Sequence, residues 1–372
     1  MTAELSIFAA RVREHIDLWA DEFSGADEMN DPARRQHADA EFNGLAVMLF
    51  TLQFKHNAFY RRMSEACGVS PAEVTHWSQI PIVPTAAFKE FSITSLAFAD
   101  RIREFRSSGT TQQRPSRHFH SAESLALYET SLNSWWRRNV HLPVQSRVLS
   151  LTPPPQDCPH SSLVHMFDQI RQRFGAGEEC FVGQVQPDGS WTIEINRALD
   201  VLATLNAPPL LILGTAFSFV HLLDAVAERG IKYQLASESK VLETGGYKGR
   251  SRVLPKAELH QLITAKLGVS QENIICEYGM SELSSQAYEI TSSKSERIFR
   301  FPPWARARVI SPETAREVGE GETGLLQVFD LANVFSVMAI QTEDLAVRRG
   351  DGFELIGRAA LAEARGCSLM TV

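Results

Sequence analysis

The chain has 372 residues, of which 44% are hydrophobic and 22% charged, and a formal net charge of −7 at pH 7. At roughly 150 residues per domain this predicts two or three domains of an ordinary soluble globular protein, and the acidic balance argues against a general nucleic-acid binder. The five cysteines, Cys67, Cys158, Cys180, Cys276 and Cys367, contain no Cys-x-x-Cys pair, which argues against a zinc site, and their odd number argues against a disulfide framework.

The first residues, Met1-Thr2-Ala3-Glu4, lack the basic and apolar regions of a signal peptide, so a reducing cytoplasm is the expected compartment. Leu5, Phe8, Val12, Ile16 and Trp19 share one face of a helix over residues 2–20. Gly25–Arg35 reads as a loop. Phe42, Leu45, Leu49 and Leu52 carry one long helix ending near Gly68. Ser70-Pro71-Ala72-Glu73 has the form of a capping box that opens another helix. Ile80–Pro84 is extended, pinned by two prolines, and leads to Thr85-Ala86-Ala87-Phe88-Lys89, where Lys89 is by spacing alone a solvated side chain.

Arg106-Ser107-Ser108-Gly109-Thr110-Thr111 sets four hydroxyls around one glycine, with Arg103, Arg114 and Arg117 nearby. Such a stretch is either a polar surface loop or an anion cradle, in which glycine admits the backbone, hydroxyls donate, and guanidinium forks match phosphate. It is no Walker A loop, since the Gly-Lys-Ser/Thr ending is absent.

Ser121 opens a helix bearing Leu125, Tyr128, Leu132 and Trp135, and strands then alternate with helices. Strands are predicted at Arg147–Thr152, Cys180–Val182, Leu210–Leu213, Tyr233–Ala236, Ser239–Thr244 and Asn273–Tyr278. Helices are predicted at Ser161–Phe174, Glu194–Leu205, Phe217–Arg229 and Lys256–Leu267. The most apolar run, Pro209–Ala227, is a buried strand and helix rather than a membrane span. This alternation implies an α/β fold with a largely parallel sheet and ligands outside the strands' carboxyl ends. Two strand ends stand out. Thr244-Gly245-Gly246-Tyr247-Lys248-Gly249 is either a simple turn or a close approach to a flat ligand on which Tyr247 stacks. Glu277-Tyr278-Gly279-Met280-Ser281-Glu282 ends in a carboxylate that binds a metal or caps the next element. Beyond Gln286, short strands at Ile298–Phe301, Ala305–Ile310, Gly324–Phe329, Val334–Gln341, Leu345–Arg348 and Phe353–Ile356 predict a β-rich subdomain. The expected division is therefore an α/β core over residues 1–286 and a β-rich subdomain with a C-terminal tail over residues 287–372.

In this order the motifs resemble those of adenylate-forming enzymes, the acyl- and aryl-CoA ligases, luciferases and peptide-synthetase adenylation domains. Ser107–Thr111 resembles their phosphate loop and Glu277–Glu282 their Tyr-Gly-x-Thr/Ser-Glu motif. Gly321-Glu322-Thr323-Gly324-Leu325-Leu326 is similar to the Gly-Glu-x-Gly-Glu-Leu turn, Thr342-Glu343-Asp344 to Thr-Gly-Asp, and Gly357-Arg358 to the Gly-Arg that follows it. The short length, Pro81–Lys89, Ser161-Ser162-Leu163-Val164, Gly245–Lys248 and Arg365-Gly366-Cys367-Ser368-Leu369 resemble the LuxE-type acyl-protein synthetases of bacterial bioluminescence. The same short architecture is similar to the enzyme that adenylates griseoluteic acid in phenazine antibiotic synthesis, and the motifs do not separate the two.

The resemblance implies the N-terminal domain of an adenylate-forming enzyme without the usual mobile C-terminal domain. It implies that Ser107, Ser108, Gly109, Thr110 and Thr111 hold the ATP phosphates. Gly245, Gly246 and Tyr247 would line the adenine pocket beside Tyr278, within the motif Glu277, Tyr278, Gly279, Met280 and Ser281. Glu282 would hold Mg2+, Asp344 the ribose hydroxyls, and Arg358 the ribose and phosphate. The activity implied is activation of a fatty or aromatic acid by ATP as an acyl adenylate, followed by transfer to a protein thiol, Cys367, for delivery to a reductase. Arg365 beside Cys367 would favour the thiolate. Departures from the pattern are the absent glycine and lysine after Thr111, Glu343 in place of glycine, and the chain's stop soon after Arg358. Lys89 or Lys248 is the candidate to replace the lysine of the missing domain. Two other readings remain: an aryl-acid adenylating enzyme that passes its adenylate on without a cysteine thioester, and a nucleotide-binding partner without catalysis. A homo-oligomer is left open, and neither a nucleic-acid partner nor a membrane span is expected.

Overall fold

The computed structural model describes residues 2–22, 32–107, 114–143, 145–204, 207–246, 254–291 and 297–358. The elements in chain order are α1 (Ala3–Glu22), α2 (Pro32–His56), α3 (Ala58–Ala66), β1 (Val83–Pro84), α4 (Ala87–Glu90), β2 (Arg103–Arg106), β3 (Arg117–His120), α5 (Ala122–Asn139), β4 (Arg147–Ser150), α6 (Ser162–Arg173), β5 (Gly183–Val185), β6 (Trp191–Ile193), α7 (Ile195–Leu202), β7 (Leu210–Gly214), α8 (Ala216–Glu228), β8 (Lys240–Glu243), α9 (Lys256–Leu267), β9 (Ile274–Tyr278), β10 (Ala287–Thr291), β11 (Arg297–Arg300), β12 (Ala305–Ile310), β13 (Thr323–Asp330), β14 (Ala339–Arg349) and β15 (Gly352–Arg358). No helix among the described residues is long and apolar enough to cross a membrane.

One sheet organises the molecule. Its order is β12-β13-β14-β15-β11-β10-β9-β8-β7-β4, with β1 added beside β14. β4, β7, β8 and β9 run parallel, and from β9 to β12 the pairing is antiparallel. Alternation along each parallel strand sends side chains to two cores. Leu149, Ile212, Val241 and Ile274 meet Phe219, Val220, Leu259 and Ile263 on the α8–α9 side. Val148, Leu211, Leu213 and Ile275 belong to the core of Leu132, Trp136, Phe167 and Ile170 on the α5–α6 side. The boundary expected at residues 286–287 falls between β9 and β10, which are hydrogen-bonded to each other.

Several predicted elements change. The long helix divides at Asn57, whose side chain accepts the Tyr60 N–H at 3.2 Å and caps α3. Ser70 does donate to Glu73, at 2.8 Å, but the chain makes only a turn there. Asn43 of α2 takes the Trp77 N–H and donates to the Thr75 carbonyl, drawing the chain away from helix. Cys180 ends a one-turn 3-10 helix, and the strand lies later, at β5. Tyr233–Ala236 is extended coil whose N–H groups bond to α9 carbonyls instead of a strand. The apolar stretch Leu331–Met338 is a buried loop. Gln53 of α2 donates to the carbonyls of Asn333 and Val334 and accepts from the Met338 N–H, so one side chain stands in for a neighbouring strand. The runs predicted at Val334–Gln341 and Leu345–Arg348 meet in the single strand β14.

Candidate active site

The site gathers at the carboxyl ends of β8 and β9, as a parallel sheet dictates. The β2–β3 hairpin carries the hydroxyl loop. Its base is closed by Ser107 and Ser116: the Ser107 N–H donates to the Ser116 carbonyl at 3.3 Å and the Ser116 N–H to Ser107 Oγ at 3.0 Å. The hairpin rests on the segment that leaves β9. Ser116 Oγ lies 3.4 Å from Ser281 Oγ, and His118 Nδ1 is 2.9 Å from the Ser281 carbonyl. A carbonyl only accepts, so Nδ1 carries the proton. Burial lowers the His118 pKa to about 4, which keeps the ring neutral in this role.

Glu282 is buried next to this contact, and Ser281 Oγ donates to its Oε2 at 3.0 Å. Burial raises its carboxyl pKa, against hydrogen bonds from Ser116 and Ser281 that lower it. The segment is bolted to the loop after β13. Asp330 Oδ2 accepts the Ser284 N–H at 2.8 Å, its Oδ1 accepts from Ser285 Oγ at 2.7 Å, and Asn333 Nδ2 donates to the Glu282 carbonyl at 2.8 Å. Gly279 lies where a Cβ would come within 2.3 Å of Glu277 Oε1. Met280 packs half-buried on the core.

Tyr278 and Asp344 come from distant strands. Tyr278 Oη donates to Asp344 Oδ2 at 2.7 Å. Four strand spacings, about 19 Å in a flat sheet, separate β9 from β14, so the sheet curls back on itself. Phe299, Phe301 and Phe353 fill the curl around the Tyr278 ring, with centroids 5.5–6.3 Å away. Asp344 pairs in register with Arg358, whose Nε lies 3.9 Å from Oδ1. Thr342 Oγ1 accepts the Asp344 N–H and donates to the Leu326 carbonyl, which fixes the turn of the backbone. Burial raises the Asp344 carboxyl pKa, opposed by the Tyr278 hydrogen bond and by Arg358. Glu277 sits opposite Tyr288 in register, and burial with Glu243 nearby raises its pKa to about 8.

Gly245 and Gly246 follow β8 with φ of 63° and 80°, the left-handed region that glycine enters without a Cβ penalty. The Gly245 carbonyl accepts the Ala216 N–H, tying the loop to the start of α8. Lys89 lies half-buried on α4. That helix is placed by β1 beside β14, and by Phe88 against His118 of the hairpin. Arg114, at the far end of the hydroxyl loop, lies 3.8 Å from Glu90 on α4. Two of the expected phosphate arginines have other work: Arg103 donates to the Pro159 carbonyl, and Arg106 pairs with Glu104. Ser108, Gly109, Thr110, Thr111, Tyr247, Lys248 and Cys367 lie outside the described residues. Thus Ser281 and Glu282 meet the hairpin at Ser116, which is bonded in turn to Ser107, and Tyr278, Asp344 and Arg358 meet in a second contact. Ser116, His118, Asp330 and Asn333 were not singled out by motif. Their signal is spatial, since each is a polar residue buried against the Ser281–Ser285 segment.

The fold is shared with 2-hydroxyisobutyryl-CoA ligase. Its structure in complex with 2-HIB-AMP and CoA matches with a TM-score of 0.66 over 88% of this chain and 69% of that one, at 15% identity. An open form of the same ligase matches with a TM-score of 0.63. The class is that of the adenylate-forming ligases. Within it the chain belongs to the LuxE acyl-protein synthetase family, whose family model matches residues 34–371. The long-chain-fatty-acid–luciferin-component ligase of Vibrio harveyi is 21% identical over 336 residues, covering 86% of this chain and 84% of that protein. The ligase of the same name from Aliivibrio fischeri is 26% identical over 163 residues, covering 41% and 42%.

Proposed function

We propose that this ligase binds ATP between the hydroxyl loop and the Tyr278–Asp344 pair and activates a long-chain fatty acid. The carboxylate attacks the α-phosphate, pyrophosphate leaves, and an acyl adenylate forms. The acyl group then passes to the Cys367 thiol as a thioester, with AMP as leaving group, and onward to an acyl-accepting reductase. The observation that carries this reading is that the Ser281–Glu282 step abuts the hairpin base at Ser116 while Tyr278, three residues earlier, holds the Asp344 carboxylate. In this reading one short segment, Tyr278–Glu282, carries both the groups that face the phosphates and the tyrosine that orients the ribose-facing Asp344. The names of the two luciferin-component ligases support a fatty acid as the first choice over an aromatic one.

In this reading Asp344 accepts hydrogen bonds from the ribose hydroxyls and Arg358 reaches toward ribose and phosphate. Ser107 to Thr111 wrap the phosphates, and Gly245, Gly246 and Tyr247 border the adenine. Lys89, and Lys248 beside the adenine loop, supply cationic charge near the reacting phosphate. The protein's contribution is alignment and charge neutralisation. The Glu282 carboxylate suits Mg2+: its side-chain hydrogen-bond partners are the hydroxyls of Ser116 and Ser281, and among the described residues no basic group lies within ion-pair distance of it. Bound there, Mg2+ supplies charge neutralisation for the phosphates.

The test is mass spectrometry of the intact protein after incubation with ATP, Mg2+ and a fatty acid. The expected result is a hydroxylamine-labile acyl adduct that Cys367→Ala loses while keeping pyrophosphate exchange. A Cys367→Ala protein that still becomes acylated contradicts the thioester step and favours direct use of the adenylate.

A further inference from the structure

Behind the glycine pair, on the α9 side of the sheet, three donor side chains of different chemistry converge. Glu243 ends β8 and is paired in register with Cys276 of β9, so both side chains leave the same face. α9 covers that face and lays His260 over them. Cys276 Sγ is 3.4 Å from Glu243 Oε2 and 3.6 Å from His260 Nε2, and Nε2 is 3.6 Å from Oε2. All three side chains are buried, and no other His, Cys, Asp or Glu trio among the described residues brings its donor atoms as close.

We infer that Glu243 Oε2, His260 Nε2 and Cys276 Sγ form a tetrahedral zinc site, with water in the fourth position. Bond lengths of ~2.3 Å to sulfur and ~2.0–2.2 Å to nitrogen and oxygen place the donors of a tetrahedral zinc about 3.3–3.6 Å apart. The three separations here match that triangle. The charge also balances: a thiolate and a carboxylate neutralise a divalent cation, and the imidazole remains neutral. That matters in an interior where an unbalanced ion is costly. Among the described residues, His260 is the basic group within ion-pair distance of Glu243. The mixed sulfur, nitrogen and oxygen set selects zinc over magnesium or calcium. The other carboxylate oxygen, Glu243 Oε1, accepts the Gly245 N–H at 2.5 Å, the kind of outer hydrogen bond that orients a ligating carboxylate. On binding, the Cys276 thiol proton is released to solvent and His260 keeps its proton on Nδ1.

The absence of a Cys-x-x-Cys pair argued against zinc, but these ligands are spread over a strand, a helix and a strand, where no local spacing reveals them. The site would staple β8, β9 and α9 together directly behind Gly245, and it stands or falls separately from the adenylation reading.

The experiment uses the full chain, stripped with a chelator and titrated with Zn2+ and, in parallel, Co2+. Expected are stoichiometric zinc by elemental analysis after gel filtration and a thiolate-to-cobalt charge-transfer band. Cys276→Ser and His260→Gln should lose the band and at least ~10-fold in metal affinity. Folded wild-type protein that retains no stoichiometric zinc overturns the inference and leaves the trio hydrogen-bonded only. Unchanged affinity and spectrum in Cys276→Ser also overturn it, placing the metal elsewhere. If the variants fail to fold, X-ray absorption on the wild-type zinc form decides: one sulfur neighbour supports the site, and none refutes it.

Discussion

Tyr278 and Asp344 are 66 residues apart in sequence and 2.7 Å apart in space, Oη to Oδ2. The bond closes the curl of the sheet and holds the carboxylate assigned to ribose in one orientation. Tyr278→Phe leaves that buried carboxylate one donor short, a loss of about 1–2 kcal/mol. Nucleotide affinity should fall roughly 5- to 30-fold, and Asp344→Ala should fall further. Calorimetric titration with ATP measures both, and unchanged affinity in Asp344→Ala would remove Asp344 from the site.

Arg358 separates function from stability. Its side chain is 81% exposed and lies 3.9 Å from the Asp344 carboxylate. Exposed pairs of this kind contribute little to folding. Arg358→Ala is therefore expected to leave Tm unchanged while weakening ATP use. A variant with a clearly lowered Tm would show that the residue is structural.

At Glu282 the expected effect is on the metal. Glu282→Gln keeps an oxygen to accept from Ser281 Oγ but removes the charge. Pyrophosphate exchange should fall on the order of 10²-fold or more, the scale of losing one preorganised electrostatic group. The Mg2+ concentration for half-maximal rate should rise. Wild-type Mg2+ dependence in this variant would exclude Glu282 as the ligand.

Glu277 imposes a pH dependence on stability. Its pKa is raised from 4.5 to about 8 in the fold. Between those values the folded state binds the proton and the unfolded state does not, so stability falls as pH rises. From pH ~6 to pH ~8 the loss assigned to this group is about 2 kcal/mol. Subtracting the Glu277→Gln melting curve from that of the wild type isolates it. A difference that stays flat over this range would mean that Glu277 is ionised in the folded protein.

The strand ends that carry the motifs were legible because periodicity and turn residues fix a parallel sheet, and such a sheet presents its ligands at one edge. The glycines of Thr244-Gly245-Gly246 were legible for the same reason, and their left-handed φ values supply the cause. Leu331–Met338 was not. Its second half reads as the start of a strand, Val334–Gln341, yet Gln53, far away in sequence on α2, takes up backbone groups at Asn333, Val334 and Met338. The Asp330–Asn333 platform beneath Ser284 and Glu282 was hidden likewise, since nothing local marks a carboxylate that accepts from a segment 46 residues away. Ser70-Pro71-Ala72-Glu73 shows the opposite failure: the local signal is present and its hydrogen bond forms, but contacts to Asn43 redirect the chain.

Every role given to these residues depends on adenylation of a carboxylic acid by this chain. Acid-dependent exchange of labelled pyrophosphate into ATP, run over a panel of fatty and aromatic acids, reports that step by itself. Exchange is expected with long-chain fatty acids, and it should require Mg2+ and collapse in Asp344→Ala. Tight ATP binding with no exchange for any acid in the panel would rule out adenylation and leave a chain that holds the nucleotide without using it.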